Sequence, residues 1–310
     1  MNLLHFLHKK KTTDTIGLYL KPDGIAYAQL HLDKTQPQIC SCHAISTERP
    51  EEQQQTLLNI VRSSQTQGLD CVVALAPNYV DMVHLSMPNV EPAEIPSAIR
   101  WQLQDKIEID PQTAMVDYFN MPGPQDTVSE HIYAVAAAAH VIKEKLALVK
   151  PSGLNLQKID IAELAIHHVA QCLDEATEGL AMIHLFKDQG LLQITQNKTL
   201  YLTRRLNIGI EHFEQAPQQQ RALDGLVLEI QRSLDFYESH FKKAPIQSIA
   251  LPPLAHMIPS LSSYVSTQLA LHAWILDLNE RFHCDSMIEE HVQIECIPAI
   301  GAALNRWPTR

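Results

Sequence analysis

The sequence predicts a mixed α/β fold built as two lobes. The chain has 310 residues, more than one hydrophobic core usually organises, and its 45% apolar content is that of a globular protein. Segments with the period of β-strands alternate with segments with the period of α-helices along the whole sequence. An acidic stretch at residues 174–179 separates two such series. We therefore expect two α/β halves joined by a hinge near these residues.

The first half is predicted to begin with strands. Residues 16–20 and 25–32 alternate apolar and polar side chains around a Lys-Pro-Asp-Gly turn, which is typical of a β-hairpin. The apolar run at residues 71–76 predicts a buried strand, and we expect a new unit to start there. In that unit apolar residues recur every four positions from Ile95 to Ile107 and predict an amphipathic helix. Further strands and helices are predicted at residues 115–119, 131–137, 139–150, 154–159 and 161–173.

The second half contains the clearest helix of the chain. From Leu223 to Phe241 the apolar residues follow one another in steps of three and four, which indicates one buried face. Strands are predicted before and after this helix, at residues 180–186, 191–196, 200–206, 246–251 and 273–276. Both halves therefore combine strands with helices.

Composition and motifs exclude several classes of protein. With 24 basic and 35 acidic residues, the net charge of -11 argues against general attraction to nucleic acid or anionic lipid. The six cysteines are scattered and the sequence has no secretory signal, which predicts reduced thiols in the cytoplasm. No stretch approaches the ~20 apolar residues of a membrane-spanning helix. Neither a P-loop nor a hydrolase nucleophile motif occurs, and the histidines and cysteines lack the spacing of a metal site.

Four segments, taken together, carry a resemblance to a known family. They are residues 230–241 (IQRSLDFYESHF), residues 98–111 (AIRWQLQDKIEIDP) followed by Asp117-Tyr118, the Ser152-Gly153 turn that leads to Ile159-Asp160-Ile161, and the terminal Ala299-Ile300-Gly301. In these segments and in the order of its elements, the chain resembles the type IV pilus assembly protein PilM and its MSHA-pilus counterpart MshI. Both belong to the actin-like ATPase superfamily.

The resemblance implies a bilobed actin-like fold with an inserted α+β subdomain in the first lobe. It divides the chain into a tail at 1–12, a first-lobe core at 13–70, the inserted subdomain at 71–150 and a second lobe at 179–295. Residues 151–178 and 296–310 are expected to complete the first lobe.

The resemblance also locates the positions at which catalytic relatives hold a nucleotide. Tyr19 and Lys21 stand where the first hairpin of such relatives has Asp and Gly, and His184 and Phe186 stand at the matching positions of the second hairpin. Glycines at these positions let backbone N–H groups reach the phosphates, and the acids orient magnesium or water.

A third nucleotide-binding element is replaced as well. Pro252 and Pro253 stand where a glycine cluster lies against the adenosine in relatives, and proline has no N–H to donate. These replacements predict a chain without a cofactor that does not hydrolyse ATP. The alternative is a divergent actin-like ATPase that binds and slowly turns over Mg-ATP, with Lys21, Lys187 and Asp188 near the phosphates.

The partner implied by the resemblance is the cytoplasmic tail of a PilN-like bitopic inner-membrane protein. The tail would lie in a groove between the first lobe and the inserted subdomain, whose walls would include Arg100, Trp101, Leu103, Gln104 and Val83. A core position is the alternative for Trp101. The implied function is a cytoplasmic scaffold of type IV (MSHA-type) pilus assembly at the inner-membrane face, with the pilus motor ATPase and a second copy of the chain as further partners.

The N-terminal segment suggests a separate contact. The spacing of Leu3, Leu4, Phe6 and Leu7 predicts one apolar face of a short helix, and lysines follow at positions 9–11. Such a segment suits weak contact with an anionic membrane surface. By the resemblance, Asn2-Leu3-Leu4 is also similar to the partner tail, so the segment is a candidate occupant of the groove. A terminus without fixed structure is the remaining alternative.

Overall fold

A six-stranded sheet forms the centre of the first lobe. In spatial order its strands are β14 (His283–Cys284), β3 (Pro37–Ser46), β2 (Gly24–Leu32), β1 (Asp14–Lys21), β4 (Asp70–Leu75) and β8 (Asn155–Ile161). Strands β1, β2 and β3 form an antiparallel meander, whereas β1, β4 and β8 run parallel. Helices α1 (Pro50–Ser63) and α3 (Ala139–Val149) pack on one face, and α4 (Ala162–Ala170) and α9 (Glu290–Leu304) pack on the other.

A five-stranded sheet with the same arrangement forms the second lobe. Its strands, in spatial order, are β11 (Thr199–Leu206), β10 (Gly190–Gln196), β9 (Leu180–Leu185), β12 (Ser248–Leu251) and β13 (His272–Ile275). An antiparallel meander again continues into parallel strands. The helices of this half are α5 (Glu175–Glu178), α6 (Ala216–Phe241), α7 (Leu261–Leu269) and α8 (Leu278–Arg281). Helix α6 buries Ile230 and Tyr237 against the sheet, which confirms the helix predicted from the apolar spacing.

An inserted subdomain leaves the first lobe after β4. Its three-stranded sheet has the order β5 (Val80–Ser86), β7 (Val128–Ala137) and β6 (Met115–Pro122). Helix α2 (Ile95–Leu103) covers the face that carries Ile132, Ala134 and Ala136. Because side chains alternate along a strand, the opposite face carries Tyr133, Val135 and Ala137 and points toward the two lobes.

These assignments refer to a computed structural model that describes residues 14–33, 36–47, 49–123, 128–214, 216–254 and 256–306. The predicted tail at 1–12, with Leu3, Leu4, Phe6 and Leu7, lies outside the described residues. Within the described ranges, none of the helices combines the length and hydrophobicity that crossing a membrane requires.

Two predicted domain boundaries are corrected by the strand pairing. The strand at Asp70–Leu75 was expected to open the subdomain, but it pairs with β1 and β8 inside the first-lobe sheet. A continuous apolar run is typical of a central parallel strand, which is buried on both faces. The strand His283–Cys284, expected in the second lobe, pairs with β3 of the first lobe. Two residues are too short a strand for a sequence pattern to assign.

Two glycines let the backbone of α9 approach its neighbours directly. A Cβ atom at Gly17 would lie 1.8 Å from the carbonyl oxygen of Ala299, and one at Gly301 would lie 1.8 Å from that of Ala165. The first contact joins α9 to β1, and the second joins α9 to α4. The Ala299-Ile300-Gly301 segment is therefore required for close packing at the base of the first lobe.

Candidate functional site

A cleft of about 360 Å³ lies between the two lobes, where the β1–β2 and β9–β10 hairpins face each other. Its lining residues come from both hairpins, from the segments after β4 and after β11, and from α9: Tyr19, Lys21, Pro22, Asp23, Asn78, His184, Leu185, Phe186, Lys187, Asp188, Glu211, Ile294 and Glu295. Four of the six predicted nucleotide-site residues are thus brought together: Tyr19, Lys21, His184 and Phe186.

Aromatic rings form the floor of this cleft. The ring centroids of Tyr19 and Phe186 lie 6.1 Å apart, and the His184 ring meets the Phe186 ring edge-on at 4.6 Å. Burial lowers the pKa of His184 to about 3, so its imidazole is neutral at physiological pH. Burial, followed by the charges of Glu295 and Glu163, raises the pKa of Tyr19 well above its usual value. Neither ring offers a charge to a magnesium ion or a phosphate.

The lysines of the cleft are paired with acids. The Lys21 ammonium lies 2.7 Å from Glu295 Oε2 and 3.6 Å from Asp23 Oδ1, and the Lys187 ammonium lies 3.7 Å from Asp23 Oδ2. Two lysines face four carboxylates, those of Asp23, Asp188, Glu211 and Glu295. The formal charge of the cleft is therefore negative, which is unfavourable for a triphosphate.

The two predicted prolines lie elsewhere. Pro252 and Pro253 follow β12 and are buried, and they do not line the cleft. The carbonyl oxygen of Pro252 accepts a hydrogen bond from the N–H of Leu254 at 2.8 Å, which closes a tight turn.

A larger groove of about 550 Å³ lies between the first lobe and the inserted subdomain. One wall consists of consecutive residues of β6, Met115 to Phe119, with Val80, Val135 and Ala137 behind them. The other wall consists of consecutive residues of β8, Lys158 to Ile161, with Leu164 of α4. Leu75 and Ile142 complete the lining. The groove is mainly apolar, and its charged groups are Asp117, Lys158 and Asp160.

Two unpaired strand edges border this groove. Among the described residues, β8 pairs with β4 alone and ends the six-stranded sheet, and β6 pairs with β7 alone and ends the three-stranded sheet. The edges present backbone N–H and C=O groups beside the apolar lining. An extended peptide is the ligand that such a groove accommodates, because it satisfies a strand edge while its side chains enter an apolar space.

The charged groups of the groove are partly satisfied within the chain. Asp160 is buried, and its carboxylate lies 2.7 Å from Lys158 Nζ and accepts hydrogen bonds from Asn305 Nδ2 at 2.9 Å and from the Ile161 N–H at 2.9 Å. Its role is structural, since these contacts fix the end of β8. Met115, in contrast, is 57% exposed at the opposite wall.

This groove lies between the two parts of the molecule that the resemblance names, but the residues expected in its wall do not line it. Helix α2 lies on the far face of the three-stranded sheet, so Arg100, Trp101, Leu103 and Gln104 do not line the groove. Leu103 is fully buried in the subdomain core, and Val83 packs against the same core. Trp101 is 74% exposed and is not a core residue. A contact between Trp101 and a partner stays a prediction.

The sequence pattern missed the residues that form the groove. The strands at 115–119 and 154–159 were predicted, but a pattern in one strand does not tell whether that strand ends a sheet. One feature of β6 could have indicated the groove: apolar residues occupy both faces of this strand although it is half-exposed. The structure shows no group of three or more His, Cys, Asp or Glu side chains suited to a metal within its described ranges.

Known proteins share this fold without close sequence similarity. No protein-family model matches the sequence, and no curated protein matches it. A chain of a PilM–PilN type IV pilus biogenesis complex has a TM-score of 0.70 at 16% identity, covering 94% of this chain and 96% of that one. The cytoplasmic domain of EpsL, an inner-membrane component of the type II secretion system of Vibrio cholerae, has a TM-score of 0.53 at 11% identity, with coverages of 93% and 94%.

A third solved structure names the fold. It is a Bacteroides thetaiotaomicron protein of unknown function with an actin-like ATPase fold, with a TM-score of 0.51, 10% identity and coverages of 88% and 94%. The chain described here has a bilobed actin-like fold, as the sequence predicted.

Proposed function

We propose that this chain is a scaffold of type IV pilus assembly that holds an extended apolar tail of a PilN-like inner-membrane protein. The observation that carries the proposal is the groove between β6 and β8, which combines an apolar lining with two unpaired strand edges. The similarity to a chain of a PilM–PilN complex supports the identity of the partner. We assign the chain to an MSHA-type system because its sequence resembles that of the MSHA-pilus protein MshI.

The mode of binding follows from the geometry of strands. Neighbouring strands lie about 4.8 Å apart, and side chains of the added strand point alternately to its two faces. The tail would form main-chain hydrogen bonds with both β6 and β8, and its leucine-type side chains would contact Val135, Ile159 and Leu164. Because a bitopic partner presents this tail on the cytoplasmic side, the scaffold acts at the cytoplasmic face of the inner membrane.

Peptide binding tests the proposal. The probe is a fluorescein-labelled peptide that copies the Asn-Leu-Leu-containing cytoplasmic tail of a PilN-like inner-membrane protein. Met115→Lys places a charge in the apolar wall, and fluorescence anisotropy should show a loss of affinity of about tenfold or more, because an unpaired charge is costly to desolvate.

The matched control is Met287→Lys, since Met287 is 87% exposed on the loop before α9 and does not line the groove. This variant should bind the peptide like the wild type. Equal affinities of the wild type and Met115→Lys would exclude the groove as the binding site.

The proposal also holds that the chain does not hydrolyse ATP. The support is the cleft itself, with aromatic rings at Tyr19 and Phe186 and an excess of carboxylates over lysines. Titration calorimetry with Mg-ATP should give no binding heat. Micromolar binding together with phosphate release would instead favour the divergent ATPase and would leave the peptide groove as a separate question.

A further inference from the structure

Arg205, near the end of β11, joins three parts of the molecule. Its Nε donates a hydrogen bond to Glu163 Oε1 of α4 at 2.7 Å. Its Nη1 donates to the carbonyl oxygens of Pro77 and Val80 at 3.3 and 3.1 Å. These two residues flank the turn through which the chain passes from the first-lobe sheet into the inserted subdomain. One guanidinium of the second lobe is therefore bonded to the first lobe and to the subdomain at once.

One partner of Arg205 lines the groove, and another adjoins a residue that lines its opposite wall. Val80 lines the groove on the subdomain side, and Leu164, which follows Glu163, lines it on the first-lobe side. Arg205 itself does not line the groove. The Glu163 side chain has no solvent exposure, so the guanidinium is also the charge that compensates a buried carboxylate. The guanidinium of Arg205 thus holds Val80 of one wall directly and Leu164 of the other wall through the preceding residue, Glu163.

A second contact ties the subdomain to the same strand. The hydroxyl of Tyr133, on the subdomain face that points toward the lobes, donates to the carbonyl oxygen of Thr203 at 3.1 Å. Arg204, the neighbouring residue of β11, instead contacts α6 of its own lobe, with Nη1 3.3 Å from Ser233 Oγ and 3.6 Å from Glu229 Oε2. The second lobe consequently provides a rigid support for the position of the subdomain.

We propose that Arg205 is a positioning residue for the partner tail, because it sets the separation between the two walls of the groove. A peptide strand that lies between two strand edges requires these edges about 9.6 Å apart, twice the spacing of neighbouring strands. Backbone hydrogen bonds tolerate donor–acceptor distances of about 2.7–3.2 Å, so a change in this separation of more than about 1 Å would break the bonds to one of the two edges. This inference rests on the proposed function, and it assigns the second lobe a role in tail binding without any contact between that lobe and the tail.

The test uses Arg205→Lys in the full chain. A lysine keeps a positive charge for Glu163, but its single nitrogen does not reproduce the three separate contacts to Glu163, Pro77 and Val80. We expect the affinity for the labelled tail peptide to fall about tenfold, as it does when one molecule in ten has the binding-competent groove. The matched control is Arg204→Lys, which alters the neighbouring arginine of the same strand and should bind like the wild type.

A measurement without peptide separates this inference from the proposed function. Hydrogen–deuterium exchange of residues 115–119 and 158–161 should be faster in Arg205→Lys than in Arg204→Lys, because the walls lose their common support. The double variant Glu163→Met with Arg205→Met removes both charges, so it avoids an unpaired buried carboxylate and should show the same two effects.

Each outcome has one meaning. Wild-type affinity and unchanged exchange in Arg205→Lys and in the double variant would overturn the inference even if the peptide binds. If no tail peptide binds the wild type, the proposed function fails, and the exchange measurement alone still decides whether Arg205 holds the walls.

Discussion

The crossing of α9 and α4 allows a stability prediction with a magnitude. A Cβ atom at Gly301 would lie 1.8 Å from the Ala165 carbonyl oxygen and 2.4 Å from its carbonyl carbon. Ordinary contact begins at 3.4 Å, so Gly301→Ala requires the two helices to part by about 1.6 Å. Both obstacles are backbone atoms, which do not rotate away as a side chain does. Overpacking of a core usually costs 1–3 kcal/mol, and we expect about 3 kcal/mol or more here.

The assay is urea unfolding followed by circular dichroism, with Gly225→Ala as the matched control. Gly225 lies inside α6, and the nearest atom to a Cβ there is Cδ1 of Ile208 at 3.2 Å, the end of a flexible side chain. Alanine is favoured over glycine in a helix by up to about 1 kcal/mol, so this variant should be neutral or more stable. With an m-value of about 3 kcal/mol/M, Gly301→Ala should unfold about 1 M earlier. A Gly301→Ala protein within about 1 kcal/mol of the wild type would refute the reasoning.

Two further predictions concern stability. Burial lowers the pKa of His184 to about 3. Between pH 6.5, its usual pKa, and pH 3 the unfolded chain therefore binds a proton that the folded chain does not. The free energy of unfolding should fall as the pH falls through this window, by up to about 1.4 kcal/mol per pH unit for this group. His184→Leu should have a shallower slope in urea titrations between pH 6 and 4, and an unchanged slope would contradict the assignment. Leu103 is fully buried and Trp101 is 74% exposed, so Leu103→Ala should cost about 2–5 kcal/mol and Trp101→Ala about 0.5 kcal/mol or less. Equal effects in urea unfolding would contradict the packing of α2 described here.

Local patterns were sufficient to predict most of the elements. The step of three and four in α6, the hairpin turn at residues 21–24 and the apolar run of β4 each express a constraint within a short stretch of sequence. The placement of four residues around the cleft came instead from the family resemblance, which locates them on the two hairpins.

Other features depend on contacts between distant segments. The amphipathic spacing of α2 showed that Leu103 faces apolar neighbours, but not which face of the sheet those neighbours form. Arg205 and Glu163 lie far apart in the chain, and only the packing of β11 beside α4 brings them together. The consecutive arginines at the end of an apolar strand were the available signal, since a charged residue in such a position needs a partner.

The unpaired edges of β6 and β8 have a consequence for the protein without its tail ligand. A strand edge beside apolar side chains is a template for any extended chain, including a second copy of this one. The described residues that border the groove include no proline on β8 and one, Pro122, at the far end of β6, so the opposition to such pairing comes mainly from the charged side chains of Asp117 and Lys158. A scaffold of this kind would be best protected from self-assembly when its membrane partner is made at the same time, and its solubility would then report whether the groove is filled.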